Sequence, residues 1–534
     1  MTTLPILRGS TSPSLATMVV PSARRVSSCR VSMLGDSAAG AAGSINNANM
    51  VICVAVRSLF MDQACHSRAA MRRGGRFVGL CLLLMATSGC TTPSAFLGDP
   101  ITQVDSTRGY RLGPAIEARP SPDMLVVVTL SGGGKRASAM AYGLLEQLAT
   151  DRLRYDGLER RVLDEVDVIS AVSGGAIPAA YYALYGDRVF TEFERGFLNR
   201  DVAGGLRRRI FFDPRNWFRL ASSEFSRGDI YAEYFDQKLF RGATYADLLN
   251  ARQRPFLILN ATDIGNAGRF DFTQDSFDVL CMKLDSYPLS RALAASSSVP
   301  ALFTPITLHN EGGRCGHRLP AWVGEAIKAD DHASRRHFRA SILASRADAS
   351  RFPYLHLVDG ALSDNLGVRA PLDALTDEDD PSGLQRLLAQ GAIRTVVFIS
   401  LNASDSQAER IAGSRQPPAL FDMLRLMGTV PVDRYSVESK VLLQQTLEAW
   451  STRLDGGAGS NGLYFIDLEL DALQSDARYG RLTRLKTSLS DPPRDIAELR
   501  CAAKVLLSNA VEYQRLIKEK GGQHSLPPSC VAAP

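Results

Sequence analysis

Histidine is scarce in this chain of 534 residues, with seven in all. His309, His317, His332 and His337 crowd one charged stretch, His356 sits inside an apolar run, and His524 lies in a tail of Gly, Pro and Ser. A hydrolytic triad in the order Ser, acid, His needs a well-placed histidine late in the sequence, so this distribution argues against one. No run of eighteen or more apolar residues occurs, which argues against a spanning helix. The nine cysteines (Cys29, Cys53, Cys65, Cys81, Cys90, Cys281, Cys315, Cys501, Cys530) contain no Cys-x-x-Cys pair. No Cys/His group has zinc spacing either, so the sequence offers no metal site. The last four cysteines could form disulfides in an oxidising compartment or remain buried thiols, and their pairing stays open. A basic excess is also missing. The formal charge is +5, but residues 1–90 hold nine Arg, no Lys and only Asp36 and Asp62; the remainder carries 52 basic against 54 acidic residues. That balance offers nothing to nucleic-acid phosphates.

What is present begins with an address. From Met71 the chain reads MRRGGRFVGLCLLLMATSGCTTPS. Arg72, Arg73 and Arg76 precede a short apolar run, Phe77 to Met85, and small residues lead to Cys90. This is the layout of a secretory signal over 71–90, and Ser-Gly-Cys resembles a bacterial lipobox with Cys90 as the lipid-bearing residue. Residues 1–70 are rich in Ser, Ala and Arg without sustained periodicity; they are expected to be an upstream extension, with Met71 as the working start. An organelle transit peptide is the rival reading. The expected location is the bacterial cell envelope, as an outer-membrane lipoprotein facing the periplasm. Residues 91–120, with Pro93, Pro100, Pro114 and Pro120, read as a tether.

Regular structure is expected from Leu125. Leu125 to Leu130 suits a strand buried on both faces, a glycine turn Gly132-Gly133-Gly134 follows, and Met140, Leu144, Leu145 and Leu148 recur at helical spacing. The unit repeats at once: strand Val166 to Val172, turn Ser173-Gly174-Gly175, helix Ala176 to Leu184. Pro178 is expected to fall in that helix's first turn. Further strands are expected at Phe256 to Asn260, Leu355 to Val358 and Thr395 to Leu401. Such alternation predicts an α/β fold with a mostly parallel central sheet flanked by helices. Residues 201–240, rich in Arg and aromatics, and 310–351, charged and expected to be irregular, look like insertions. Residues 121–402 would form the catalytic domain and 403–534 a mainly helical C-terminal extension, with Leu420, Phe421, Leu424 and Met427 as one apolar set.

The chemistry centres on Ser173. A serine on a strand-to-helix elbow has its hydroxyl forced out at the end of the sheet, and the following helix directs its dipole at developing negative charge. The upstream Gly132, Gly133 and Gly134 can aim N–H groups at an oxyanion, with Arg136 adding positive charge. A nucleotide cradle fits less well, since Lys135 is followed by Arg136 rather than Ser or Thr. A serine needs a base, and the candidate left is Asp359, at the end of a short strand and followed by Gly360. Its carboxylate is expected at the strand's C-terminal rim, where sites form in open α/β sheets. Asp364 with Asn365 reads as a turn or cap.

Ser131–Arg136, Ser173–Gly175 and Asp359-Gly360-Ala361 together resemble the patatin-like phospholipase family. Asn260-Ala261-Thr262-Asp263 and Ala295-Ser296-Ser297-Ser298-Val299-Pro300 are similar to it as well. The resemblance implies a three-layer sandwich and a Ser–Asp dyad without histidine: Ser173 the nucleophile, Asp359 the base, and Gly132 to Gly134 the oxyanion hole. Ala171, Ala137 and Ala361 stand where the family has glycine, small for small. It further implies a serine acyl-hydrolase of the phospholipase A or lysophospholipase type, acting on a lipid or acyl-ester substrate without a cofactor. A thioesterase or carboxylesterase on the same dyad, and a non-catalytic lipid- or partner-binding lipoprotein, are the alternatives. The expected partners are that substrate and a membrane surface reached through the lipid anchor; no nucleic acid is expected, and the oligomeric state stays open.

Overall fold

A computed structural model describes residues 98–530, except 120, 223–224, 252–253, 301, 330, 378–379, 405–414, 418–419, 455–461, 478, 486 and 528–529. The signal-like segment, Cys90 and the side chains of Leu420, Phe421, Leu424 and Met427 lie outside the described residues.

The core is one eight-stranded sheet. Its strands in chain order are β1 (Met124–Leu130), β2 (Val168–Val172), β3 (Phe256–Asp263), β4 (Gly268–Asp271), β5 (Ile306–His309), β6 (Tyr354–Asp359), β7 (Thr395–Asn402) and β8 (Leu463–Glu469). Their order across the sheet is β8-β7-β1-β2-β3-β6-β5, with β4 paired to β3. The run from β8 to β3 is parallel. Every residue of β1, β2 and β3 is buried, as in parallel strands covered on both faces. Two long helices follow the first two strands: α1 (Gly134–Thr150) and α2 (Ser173–Tyr185).

The α2 helix starts three residues earlier than expected, so Pro178 falls beyond its first turn and removes one intrahelical hydrogen bond. The carbonyl left over, that of Gly174, accepts the Ser138 hydroxyl at 2.6 Å. A side chain of α1 thus repairs α2 at the point where the two helices meet.

Two expectations are corrected. The stretch 99–117 is not a free tether. Asp99–Pro100 pairs with Met282–Lys283, Tyr110 stacks on Phe256 and accepts the Leu257 N–H, and Arg111 is buried against Asp275 and Asp278. Its prolines sit on a two-residue edge strand and in the first turn of the helix Leu112–Glu117, where a missing N–H is tolerated. The stretch 310–351 is not irregular: it forms helices Ala321–Lys328 and Arg335–Arg346. Ser334 caps the second through the His337 N–H, and Trp322, Val323, Ala326 and Ala340 make a small core of their own. The C-terminal region is mainly helical, as expected. It holds helices Leu420–Leu454 and Pro493–Asn509 and also β8, whose alternate residues are buried as suits an edge strand.

Candidate active site

The site forms where β1, β2 and β6 end. After Val172 the backbone turns sharply and Ser173 adopts φ +49°, a left-handed conformation that a non-glycine residue holds only where its surroundings fix it. Those surroundings are visible. The Ser173 N–H donates to Ser296 Oγ at 3.0 Å. Gly174 lies against the glycine loop so closely that a Cβ there would come within 2.0 Å of the Gly134 carbonyl oxygen.

Asp359 arrives from an unexpected direction. Its strand β6 runs antiparallel to β3 and pairs only with residues 261–263 at the far end of that strand, Asp359 opposite Ala261. Because β2 stops at the level of Asn260, the C-terminus of β6 and the C-terminus of β2 meet at the same height. The site therefore sits at the parallel strands' C-terminal rim, although Asp359 reaches it from an antiparallel neighbour. Its main chain is pinned there: the Asp359 N–H donates to the Ser298 carbonyl, and its own carbonyl accepts Thr262 Oγ1 at 2.9 Å.

The Ser173 hydroxyl donates to Asp359 Oδ2 at 2.8 Å across 186 residues of sequence. The other carboxylate oxygen accepts the Ala361 N–H at 3.0 Å. Ser173 is 6% exposed and Asp359 5%. Burial pushes the Asp359 carboxyl up to about 6, against the opposing pull of the Ala361 and Ser173 hydrogen bonds. A carboxylate so placed is a stronger base than one in water. Among the described residues no histidine has Ser173 or Asp359 as a partner: His356 meets Thr307, His309 meets Glu311, His332 meets His337, and His524 meets Asp151.

The glycine loop stands against the nucleophile, with the position of a Gly132 Cβ 3.4 Å from Ser173 Cβ. The Gly132 N–H is committed to the Asn365 carbonyl and the Lys135 N–H to that of Ser488. Gly133 and Gly134 take φ +139° and +62° at the start of α1, where the first N–H groups have no partner within the helix. Of the three candidate donors, these two are the ones whose N–H groups are not bonded to a described carbonyl. Arg136 is buried, and its guanidinium donates to the carbonyls of Ala403 and Leu485. It fastens the loop to the C-terminal region, with the guanidinium beside Gly133. Asp364 behaves as a cap, accepting the Arg369 N–H at 2.7 Å.

Residues 128–372 match the family model for patatin-like phospholipase. This stretch is a patatin-like phospholipase domain. Among solved structures the chain is similar to human GIVD cytosolic phospholipase A2, at 14% identity over 56% of this chain and 48% of that one, with a TM-score of 0.32. It is also similar to the same human protein in complex with methyl γ-linolenyl fluorophosphonate inhibitor and terbium chloride, at 16% identity over 58% and 48%, with a TM-score of 0.28. The match spans about half the length of those chains. No curated protein matches the sequence.

Three groups of the patatin-like domain carry no catalytic signal in the sequence. Ser296 holds the elbow, Asn365 orders the glycine loop, and burial, aided by the nearby charge of Asp359, pushes the Tyr231 hydroxyl up. All three act through tertiary contacts. Only Ser296 lay inside a stretch that resembled the family. A cavity of about 860 Å³ opens elsewhere, among Arg269, Asp275, Trp322, Arg339 and Asp373. Neither Ser173 nor Asp359 lines it, so its size is no guide to the site.

Proposed function

We propose that the protein is a serine acyl-hydrolase acting on lipid esters, with Ser173 as nucleophile and Asp359 as the one general base. The observation that carries this reading is the 2.8 Å hydrogen bond between the two buried side chains; the domain family supports it. Asp359 takes the hydroxyl proton as Ser173 Oγ attacks the ester carbonyl. The resulting oxyanion faces the N–H groups of Gly133 and Gly134, and losing one such donor typically costs about 3 kcal/mol of barrier. Collapse breaks the bond to the alcohol, which leaves with the proton from Asp359. Water then gives a proton to Asp359 and attacks the acyl-serine, and the proton returns to Ser173 as the fatty acid departs. Arg136 holds the glycine loop in register.

The same reading has the protein outside the cytoplasm as a Cys90-anchored lipoprotein. Support comes from the signal-like segment 71–90 and from two disulfides, Cys281–Cys315 and Cys501–Cys530, since disulfides persist in oxidising compartments. A panel of phospholipids, lysophospholipids, acylglycerols and acyl thioesters tests the activity. The wild type should release fatty acid, undiminished in chelator, and Ser173→Ala and Asp359→Asn should not. Release that survives Ser173→Ala overturns the proposal.

A further inference from the structure

The segment between Arg200 and Ser226 has no role in the chemistry above, yet it is built with care. Two helices, Val202–Phe211 and Pro214–Leu220, form a hairpin whose polar interior is fully engaged. Asp201 caps the first helix through the Gly204 N–H and Asp213 caps the second through the Arg215 N–H. The buried Asn216 amide donates to the Arg209 carbonyl, and the Trp217 indole to that of Phe211. Against this ordered interior the outside is anomalous. Phe211 is 60% exposed, Phe212 76%, Trp217 53% and Phe218 80%. Four large aromatics on one short hairpin are a patch that a monomer in water has reason to cover.

Charge says what covers it. Residues 207–219 contain five arginines and a single acid, Asp213; Arg207, Arg208 and Arg215 are exposed, while Arg219 pairs with Glu233. Exposed aromatic rings beside exposed guanidinium groups suit the headgroup layer of an anionic bilayer, where rings lie at the apolar boundary and cations meet phosphates. The placement fits a lipid-acting site. At its entrance the hairpin is tied to the glycine loop, the Arg200 carbonyl accepting Lys135 Nζ and Asp201 meeting Ser490. At its exit Ser226 Oγ and the Gly228 N–H bond Thr304, on the loop that starts at Ser298, the residue holding Asp359.

We propose that the 202–220 hairpin docks the protein on an anionic lipid surface, with Phe211, Phe212, Trp217 and Phe218 entering the headgroup layer. This rests on the lipid-hydrolase reading for its purpose but not for its test. The test uses full-length protein carrying Cys90→Ser and Ser173→Ala, so that neither an acyl anchor nor turnover contributes, in co-sedimentation with phosphatidylcholine vesicles with and without phosphatidylglycerol. Binding should be stronger on the anionic vesicles and fall as salt is raised. Phe212→Ser with Phe218→Ser should lower partition tenfold or more on both vesicles, Arg207→Glu with Arg208→Glu on the anionic ones alone. Val511→Ser, at an exposed apolar position elsewhere, should change nothing. In a Trp322→Phe, Trp450→Phe background, brominated acyl chains should quench Trp217, a readout that leaves the hairpin unaltered. Absence of binding by the parent, partition indifferent to both double substitutions, or an unquenched Trp217 on bound protein overturns the docking surface. The hydrolase reading would be judged separately, from turnover by protein retaining Ser173.

Discussion

Replacing Asp359 by asparagine should make the protein more stable while abolishing turnover. The Asp359 carboxyl titrates at about 6 in the folded protein against 3.8 in an ordinary aspartate, chiefly through burial. A group raised in this way contributes stability that is fully present below about pH 4 and is lost as pH rises through about 6. Ionising it costs the folded state roughly 1 kcal/mol near pH 4.5 and about 3 kcal/mol near pH 8. Asparagine fills the same space without that cost. Its Oδ1 can still accept the Ala361 N–H, and its amide can donate to Ser173 Oγ. Exchanging charge-assisted bonds for neutral ones forfeits about 1 kcal/mol, which leaves a net gain of about 2 kcal/mol near pH 8 that vanishes toward pH 4.5. Asp167 and Asp364, also raised to about 6 by burial, are common to both proteins and cancel in the difference. Urea unfolding of wild type and Asp359→Asn across this pH range reads the effect. A variant no more stable than wild type near pH 8, or a difference independent of pH, would refute the claim that a buried charge is held at this position.

For the wild type, kcat/KM on a soluble ester should fall tenfold per unit below about pH 6, as Asp359 takes up a proton; a flat profile down to about pH 5 contradicts Asp359 as base. Gly174→Ala should cost about 2–4 kcal/mol of stability together with nearly all activity, because the new Cβ would lie 2.0 Å from the Gly134 carbonyl oxygen. Gly132→Ala, whose nearest obstacle is the movable Asn365 side chain at 2.7 Å, should keep the fold, so equal unfolding midpoints for the two variants would contradict the packing described. Opening Cys501–Cys530 with a double serine substitution removes a closure across 29 residues and should cost about 3 kcal/mol in urea unfolding; an unchanged midpoint would show that the cross-link is not formed.

The parallel half of the sheet could be read from the chain because β1, β2 and β7 are short, predominantly apolar runs, and such runs have few alternatives in an α/β protein. Ser173 was legible for a related reason: a strand, small residues and a helix follow one another without a break, so local sequence fixes the elbow. Asp359 was legible as a residue but not as a direction. Whether β6 runs with or against β3 is decided by where its three paired residues land, and nothing within Tyr354–Asp359 records that. The helices of 321–346 were hidden because their apolar residues face a small private core and arginines dominate the rest. In stretch 99–117 the prolines suggest looseness, whereas the burial of Tyr110 and Arg111 depends on partners more than a hundred residues away. β8 was missed as its alternation spans only seven residues after a long helix. Arg136 shows the limit most plainly: its position beside the glycine loop suggested a charge for the oxyanion, and only the fold reveals the carbonyls of Ala403 and Leu485 that engage it.

The account stands on Ser173 being a nucleophile activated by the carboxylate it touches. Labelling of the folded protein with a fluorophosphonate probe, followed by mass mapping of the modified peptide, reads this directly. A single adduct on Ser173 is expected, lost in Ser173→Ala and slowed at least a hundredfold in Asp359→Asn. An adduct on another residue, or labelling of Ser173 at an undiminished rate without the carboxylate, would contradict it.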